Sequence, residues 1–149
     1  YPDVSAEKQI LELARRQAMN ASNETNDTLL LTQQQVFDAQ QQVLTLHMAS
    51  AVEEYLIQLL LASRDPAPYG EDLARWVSYG ASPRGTIALD RCARANAWLQ
   101  GRDYVSPEDV QAVAYDALRH RILLSFEAEA EGVTSDDVIR ELIQRVPVS

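Results

Sequence analysis

Gly80-Ala81-Ser82-Pro83-Arg84-Gly85-Thr86 is the stretch on which the reading of this chain turns. Ser82 followed by Pro83 marks a helix start. Serine can accept a hydrogen bond from an open backbone N–H at the N-cap. Proline suits the first helical position, where its missing N–H is not needed. Arg84 then falls in the first helical turn, at the positive end of the helix dipole, where a cation is unfavourable. Two readings of Arg84 stand at this point. It is either a solvated arginine at a helix start, or a guanidinium that meets an anion together with the backbone donors.

The glycine spacing of Gly80 to Thr86 imitates a phosphate-binding P-loop. The lysine is missing, Pro83 removes a donor, and no apolar strand leads in, so that motif is excluded. The chain has 149 residues and a net charge of −9. That length suits one domain with a sizeable core. The charge opposes nucleic acid as a main partner, and a DNA-binding reading has only one basic helix to rest on. The positive charge is concentrated. Residues 75–102 hold five arginines (75, 84, 91, 94 and 102) against Asp90 alone. A local cationic segment in an acidic chain suits a small anion or an acidic partner surface.

Cys92 is the only cysteine, so no internal disulfide can form. With His47 and His120 far apart, no zinc-ligand spacing exists and no metal site is expected. No membrane span and no signal peptide are visible. Sequons at Asn20, Asn23 and Asn26 read as part of a polar connector over 20–31. The opening Tyr1-Pro2 reads as the inside of a longer protein. No carboxylate pair or Ser/His/Asp set stands out, so no complete catalytic site is expected in this chain.

Helical spacing predicts a helix over 5–19 capped by Ser5 and one from Thr32 to about Leu46 with a Thr32/Gln35 capping box. A third, signalled by Ser50 and Glu53, ends near Arg64. Residues 65–72, with two prolines and a glycine, read as a flexible loop. Further helices follow over 83–100, stopped by Gly101, then from Ser106-Pro107, and from Thr134/Asp137 to Pro147. Residues 122–126 leave helix and strand open. The fold class is all-α, a small helical bundle with one short extended segment near 122–126.

On a helical projection of 85–100, Ala88, Leu89, Cys92, Ala95 and Leu99 form the expected core face, which makes Cys92 a buried thiol. Ile87, Arg91 and Trp98 lie on the other face with Arg84 and are interface candidates. Asp90 and Arg94, four apart, are expected to pair.

Gly-Ala-Ser-Pro-Arg-Gly at 80–85, Leu-Gln-Gly-Arg-Asp-Tyr-Val-Ser-Pro-Glu-Asp-Val at 99–110 and Leu-Arg-His-Arg-Ile at 118–122 together resemble the C-terminal lid of MoxR-type AAA+ ATPases. The resemblance runs over nearly all of residues 1–149, with the connector and the glutamine-rich second helix as departures. It implies a helical lid that closes over ATP and Mg held mainly by a separate N-terminal core, with no cofactor bound by the lid alone. Arg84 matches the sensor 2 arginine that contacts the γ-phosphate, with Ser82, Pro83 and Gly85 forming the supporting turn. It also implies a cytoplasmic chaperone-like ATPase, a hexameric ring of neighbouring subunits, and von Willebrand factor A-domain partners. The rival reading is a helical protein-interaction module without nucleotide chemistry.

Overall fold

The computed structural model describes residues 3–20 and 30–148. The chain forms two compact units, residues 1–33 and 34–149. The first contains α1 (Val4–Asn20). Asp3 rather than Ser5 caps it, accepting from the Ala6 N–H at 2.8 Å. Aspartate is as good an N-cap as serine, and its position two residues earlier lengthens the helix. Most of the 20–31 connector, with Asn23 and Asn26, lies outside the described residues.

The second unit carries α2 (Gln33–Thr45), β1 (His47–Met48), α3 (Ser50–Arg64), α4 (Glu71–Trp76), β2 (Val77–Tyr79), α5 (Pro83–Leu99) and β3 (Tyr104–Val105). It continues with α6 (Pro107–Leu118), β4 (Leu123–Leu124), α7 (Phe126–Ala130) and α8 (Ser135–Arg145). The class is all-α, as expected. The extended segment near 122–126 is β4, which pairs antiparallel with β2, while β1 pairs parallel with β3. These pairs clip loops together and make no sheet core. Residues 65–72 contain a 3-10 turn at Ala67–Tyr69 and the first residues of α4. Arg145 ties this stretch down, donating to the Tyr69 carbonyl at 2.9 Å and to Asp72 at 2.6 Å.

The core lies between α3, α5, α6 and α8. From α3, Val52, Tyr55, Leu56, Leu59, Leu60 and Ser63 turn inward at three- and four-residue spacing. Ala49, not Ser50, is the N-cap of α3. Helix α5 buries Gly85, Leu89, Ala93 and Ala97. Of the core face expected for this helix, only Leu89 is buried. Ala88 and Ala95 are half-buried, Leu99 is 76% exposed, and Cys92 is exposed rather than an inert core thiol. The reason is steric. Helix α5 packs most closely on α6, and small residues every fourth position let the two backbones approach. The expected face aligns on Leu89, Cys92 and Leu99, whereas the buried row runs along Gly85, Leu89, Ala93 and Ala97.

The helix ends follow local chemistry. Gly101 adopts φ 73°, and the N–H groups of Gly101 and Arg102 donate to the carbonyls of Trp98 and Ala97 at 2.9 and 3.0 Å, which closes the C-terminus of α5. Thr134 and Asp137 cap α8 reciprocally. At the start of α6 Asp109 accepts from the Ser106 N–H at 2.9 Å. Its carboxylate is 1% exposed and also accepts from Asn96 at 2.7 Å and Arg102 at 2.6 Å.

These bonds control its ionisation. Burial pushes the Asp109 carboxyl up, but the hydrogen bonds from Arg102, the Ser106 N–H and Asn96 outweigh it and hold it at about 2. Arg145 holds Asp72 at about 2, and Thr134 does the same for Asp137. A carboxyl depressed in the folded state adds stability above its unfolded value of 3.8, and that stability is lost as pH falls toward the folded value. The melting temperature should therefore drop between about pH 4 and pH 2. Asp109→Asn should cost about 3 kcal/mol at pH 7, because it leaves Arg102 without its charge partner, and should shallow the acid drop. Thermal melts of both proteins across pH test this. Equal stability at pH 7 contradicts it.

Candidate functional site: the start of helix α5

The first turn of α5 is anchored on the last turn of α3. Ser63 is buried, and its hydroxyl donates to the Leu60 carbonyl at 2.7 Å and accepts from the Ala81 N–H at 3.1 Å. The Arg64 Nε donates to the Ala81 carbonyl at 2.6 Å. The backbone at Gly80 runs so close that a Cβ there would lie 2.1 Å from the Ser63 carbonyl oxygen. Gly85 faces a second tight contact, where a Cβ would lie 3.1 Å from Leu60 Cδ1 and 3.5 Å from Arg121 Cδ. Gly80 is thus required by the close approach of the α3 backbone, whereas Gly85 meets a tight but yielding contact with side chains.

Ser82 is the N-cap by backbone conformation and Pro83 is the first helical residue. The expected side-chain cap is absent, however. The Ser82 hydroxyl makes no capping bond, and the first turn is closed instead by the Gly85 N–H donating to the Ser82 carbonyl at 2.7 Å. With Ser82 and Arg84 both exposed, the positive end of α5 faces outward.

The cationic segment 75–102 is largely neutralised in place. Arg75 meets Glu127 at 2.9 Å and Arg102 meets Asp109. Arg94 pairs with Asp90 at 2.9 Å, as its spacing predicts, and also donates to the Leu46 carbonyl. Only Arg84 and Arg91 remain, both exposed and without a hydrogen bond or ion pair among the described residues. The interface candidates do not form one surface. Ile87 is 54% exposed and Arg91 is exposed, but Trp98 is half-buried and its Nε1 donates to Gln42 Oε1 on α2 at 3.0 Å. Trp98 therefore contacts a neighbouring helix of its own unit.

The motif reading did not find Ser63 or Arg64. A Ser-Arg pair at a helix end has no distinctive pattern, and its role appears only when α3 and the 80–85 turn meet in space. His47 and His120 are exposed and sit in different elements. Among the described residues no group of three His, Cys, Asp or Glu side chains could hold a metal ion.

Residues 73–142 match the AAA lid domain family, and this span contains α5, its anchored first turn and the Asp109 network. Three relatives narrow the class. Residues of this chain are 39% identical over 97 positions to Chaperone MoxR1 of Mycobacterium tuberculosis, covering 64% of this chain and 26% of that protein. They are 39% identical over 104 positions to Protein MoxR of Methylorubrum extorquens, covering 65% and 30%. The third, protein YeaC of Bacillus subtilis, is 32% identical over 148 positions, covering 99% and 42%. A crystal structure of a Cytophaga hutchinsonii protein described as a candidate ATPase superposes with a TM-score of 0.79 at 37% identity, over 100% of this chain and 44% of that one. The chain is a lid domain of the MoxR type of AAA+ ATPase. It spans less than half the length of each of these relatives.

The anchoring yields a steric prediction. Gly80→Ala should destabilise the domain by about 3 kcal/mol, because a carbonyl on a packed helix must move to admit the methyl. Gly85→Ala should cost less, since the Leu60 side chain can give by a few tenths of an ångström. Denaturant melts rank the two, and a Gly80→Ala protein as stable as the parent refutes the close approach.

Proposed function

We propose that this chain is the nucleotide-sensing lid of a MoxR-type ATPase, closing over ATP bound to a separate core. The observation that carries the proposal is Arg84: an exposed arginine without a partner among the described residues, held rigidly at the positive end of α5 in a chain of net charge −9. Bringing phosphate oxygens to this point relieves the unfavourable meeting of guanidinium and helix dipole. The planar fork of Arg84 donates to the γ-phosphate, and its loss on hydrolysis releases the lid. Ser82, Pro83 and Gly85 supply the turn that aims it. In this reading Arg84 supplies a phosphate contact and the magnesium ligands belong to the core.

The same reading gives the assembled protein its wider role. ATP binding and hydrolysis in the core drive chaperone-like remodelling of a partner, in a hexameric ring of neighbouring subunits. Von Willebrand factor A-domain proteins are the proposed partners and the cytoplasm the proposed site. The chaperone relative supports the remodelling role and the lid family match supports the ATPase, while ring, partners and compartment follow from the family resemblance alone. Among the described residues no helix is long and apolar enough to cross a membrane. Ile87 and Arg91 are the residues of α5 left to meet the core or a neighbouring subunit.

The test is steady-state ATP hydrolysis by the full-length protein. A charge-assisted hydrogen bond to phosphate is worth about ten- to a hundredfold in affinity or rate. Arg84→Ala should lower hydrolysis by about that factor and leave the melting temperature unchanged, since the residue is exposed and has no hydrogen bond or ion pair among the described residues. Arg84→Lys should rescue in part. Arg91→Ala, about 10 Å further along the helix, should cost less. Equal and small effects of Arg84→Ala and Arg91→Ala would return Arg84 to a solvated helix-start residue.

A further inference from the structure

In the second unit six arginines have a carboxylate partner: 75, 94, 102, 119, 140 and 145. Four have none among the described residues: Arg64, Arg84, Arg91 and Arg121. Three of these four converge on one turn. Arg64 bonds the Ala81 carbonyl through Nε, which leaves both terminal nitrogens without a partner among the described residues. The stem of Arg121 lies against Gly85, and its Nη1 donates to the Ala117 carbonyl at 2.7 Å and contacts His120. Ala81 and Gly85 lie on either side of Arg84 in the sequence, so Arg64 from α3 and the stem of Arg121 from the loop after α6 both reach the turn that carries it. Six of the ten arginines of the second unit are paired, while the 81–85 turn carries Arg84 and receives Arg64 and Arg121 with no carboxylate partner among the described residues, and like charges gathered on one turn favour an anion joining them.

We propose that Arg64 and Arg121 are further phosphate-binding residues, which with Arg84 form one three-arginine cradle for the polyphosphate chain of the nucleotide. The inference rests on the proposed role of Arg84 and extends it to two side chains from other elements. The terminal phosphate of ATP brings additional negative charge to the cradle, so the cradle favours ATP over ADP and the lid opens when that phosphate leaves. The extra arginines act mainly through charge, with Arg64 also fixing the turn.

Glutamine at 64 separates charge from structure, because its amide nitrogen stands where Nε stood and keeps a donor for the Ala81 carbonyl while removing the cation. At 121 the amide is two bonds short of Nη1, and the melting temperature checks whether the lost bond to the Ala117 carbonyl matters. In the full-length protein, binding of ATP and of ADP is measured by titration calorimetry, alongside the melting temperature without nucleotide. Arg64→Gln and Arg121→Gln should each weaken ATP binding about fivefold, as expected for one charge lost beside a phosphate in a largely aqueous site. They should weaken ADP binding less and leave the melting temperature unchanged, and Arg91→Gln should change neither affinity. ATP affinity unchanged in both variants, with Arg84→Ala still impaired, overturns the cradle and leaves the Arg84 reading standing. If Arg84→Ala is also without effect, the Arg84 reading fails as well. Equal weakening by Arg91→Gln reduces the effect to net charge, and a fall in melting temperature matching the loss of binding makes both residues structural, each overturning the inference.

Discussion

The buried carboxylate of Asp109 is the interaction on which this domain depends most. It is a charge withdrawn from water, tolerable only because Asn96 and Arg102 reach it from the end of α5 and Ser106 from the cap of α6. One residue thus fixes the closest helix pair in the domain, the pair lined by Ala93, Ala97, Val110 and Ala114. Small apolar residues permit many sliding arrangements of two helices. A charged hydrogen-bond cluster at one end permits one.

With α5 held at its far end by Asp109, its near end is held by α3. Ser63, Arg64 and the two motif glycines clamp the turn before Pro83 so that the helix cannot rotate about its own axis. Arg84 is therefore presented outward by a rod fixed at both ends. The sensor role proposed for Arg84 needs this stiffness. If the first turn could yield, phosphate loss would be absorbed locally and would not move the lid as a body.

Much of this was legible from residue order. Ser-Pro at 82–83 and 106–107, Thr134 with Asp137, and Gly101 each act through neighbours in the chain, and each lies at a helix boundary in the structure. Asp90 with Arg94 is local in the same way. One failure was local: the Ser82 hydroxyl does not cap, and the Gly85 N–H donates to the Ser82 carbonyl. The rest of what failed was non-local. The inward face of α5 is chosen by how near its neighbouring helices come, which Gly85 on the α3 side and the small Ala93 and Ala97 permit without advertising it. Ser63 and Arg64 gain meaning only across a separation of 17 or 18 residues. The neutralisation of Arg75 depends on a glutamate 52 residues away.

The central claim is that the anchored start of α5 meets the terminal phosphate of ATP. Hydrogen–deuterium exchange of the full-length protein reads this segment without altering it. Peptides spanning residues 78–88 should exchange more slowly with a non-hydrolysable ATP analogue than with ADP, while peptides from α8 remain unchanged. Exchange in 78–88 that is the same with analogue and with ADP, when the core responds to both, would contradict the account.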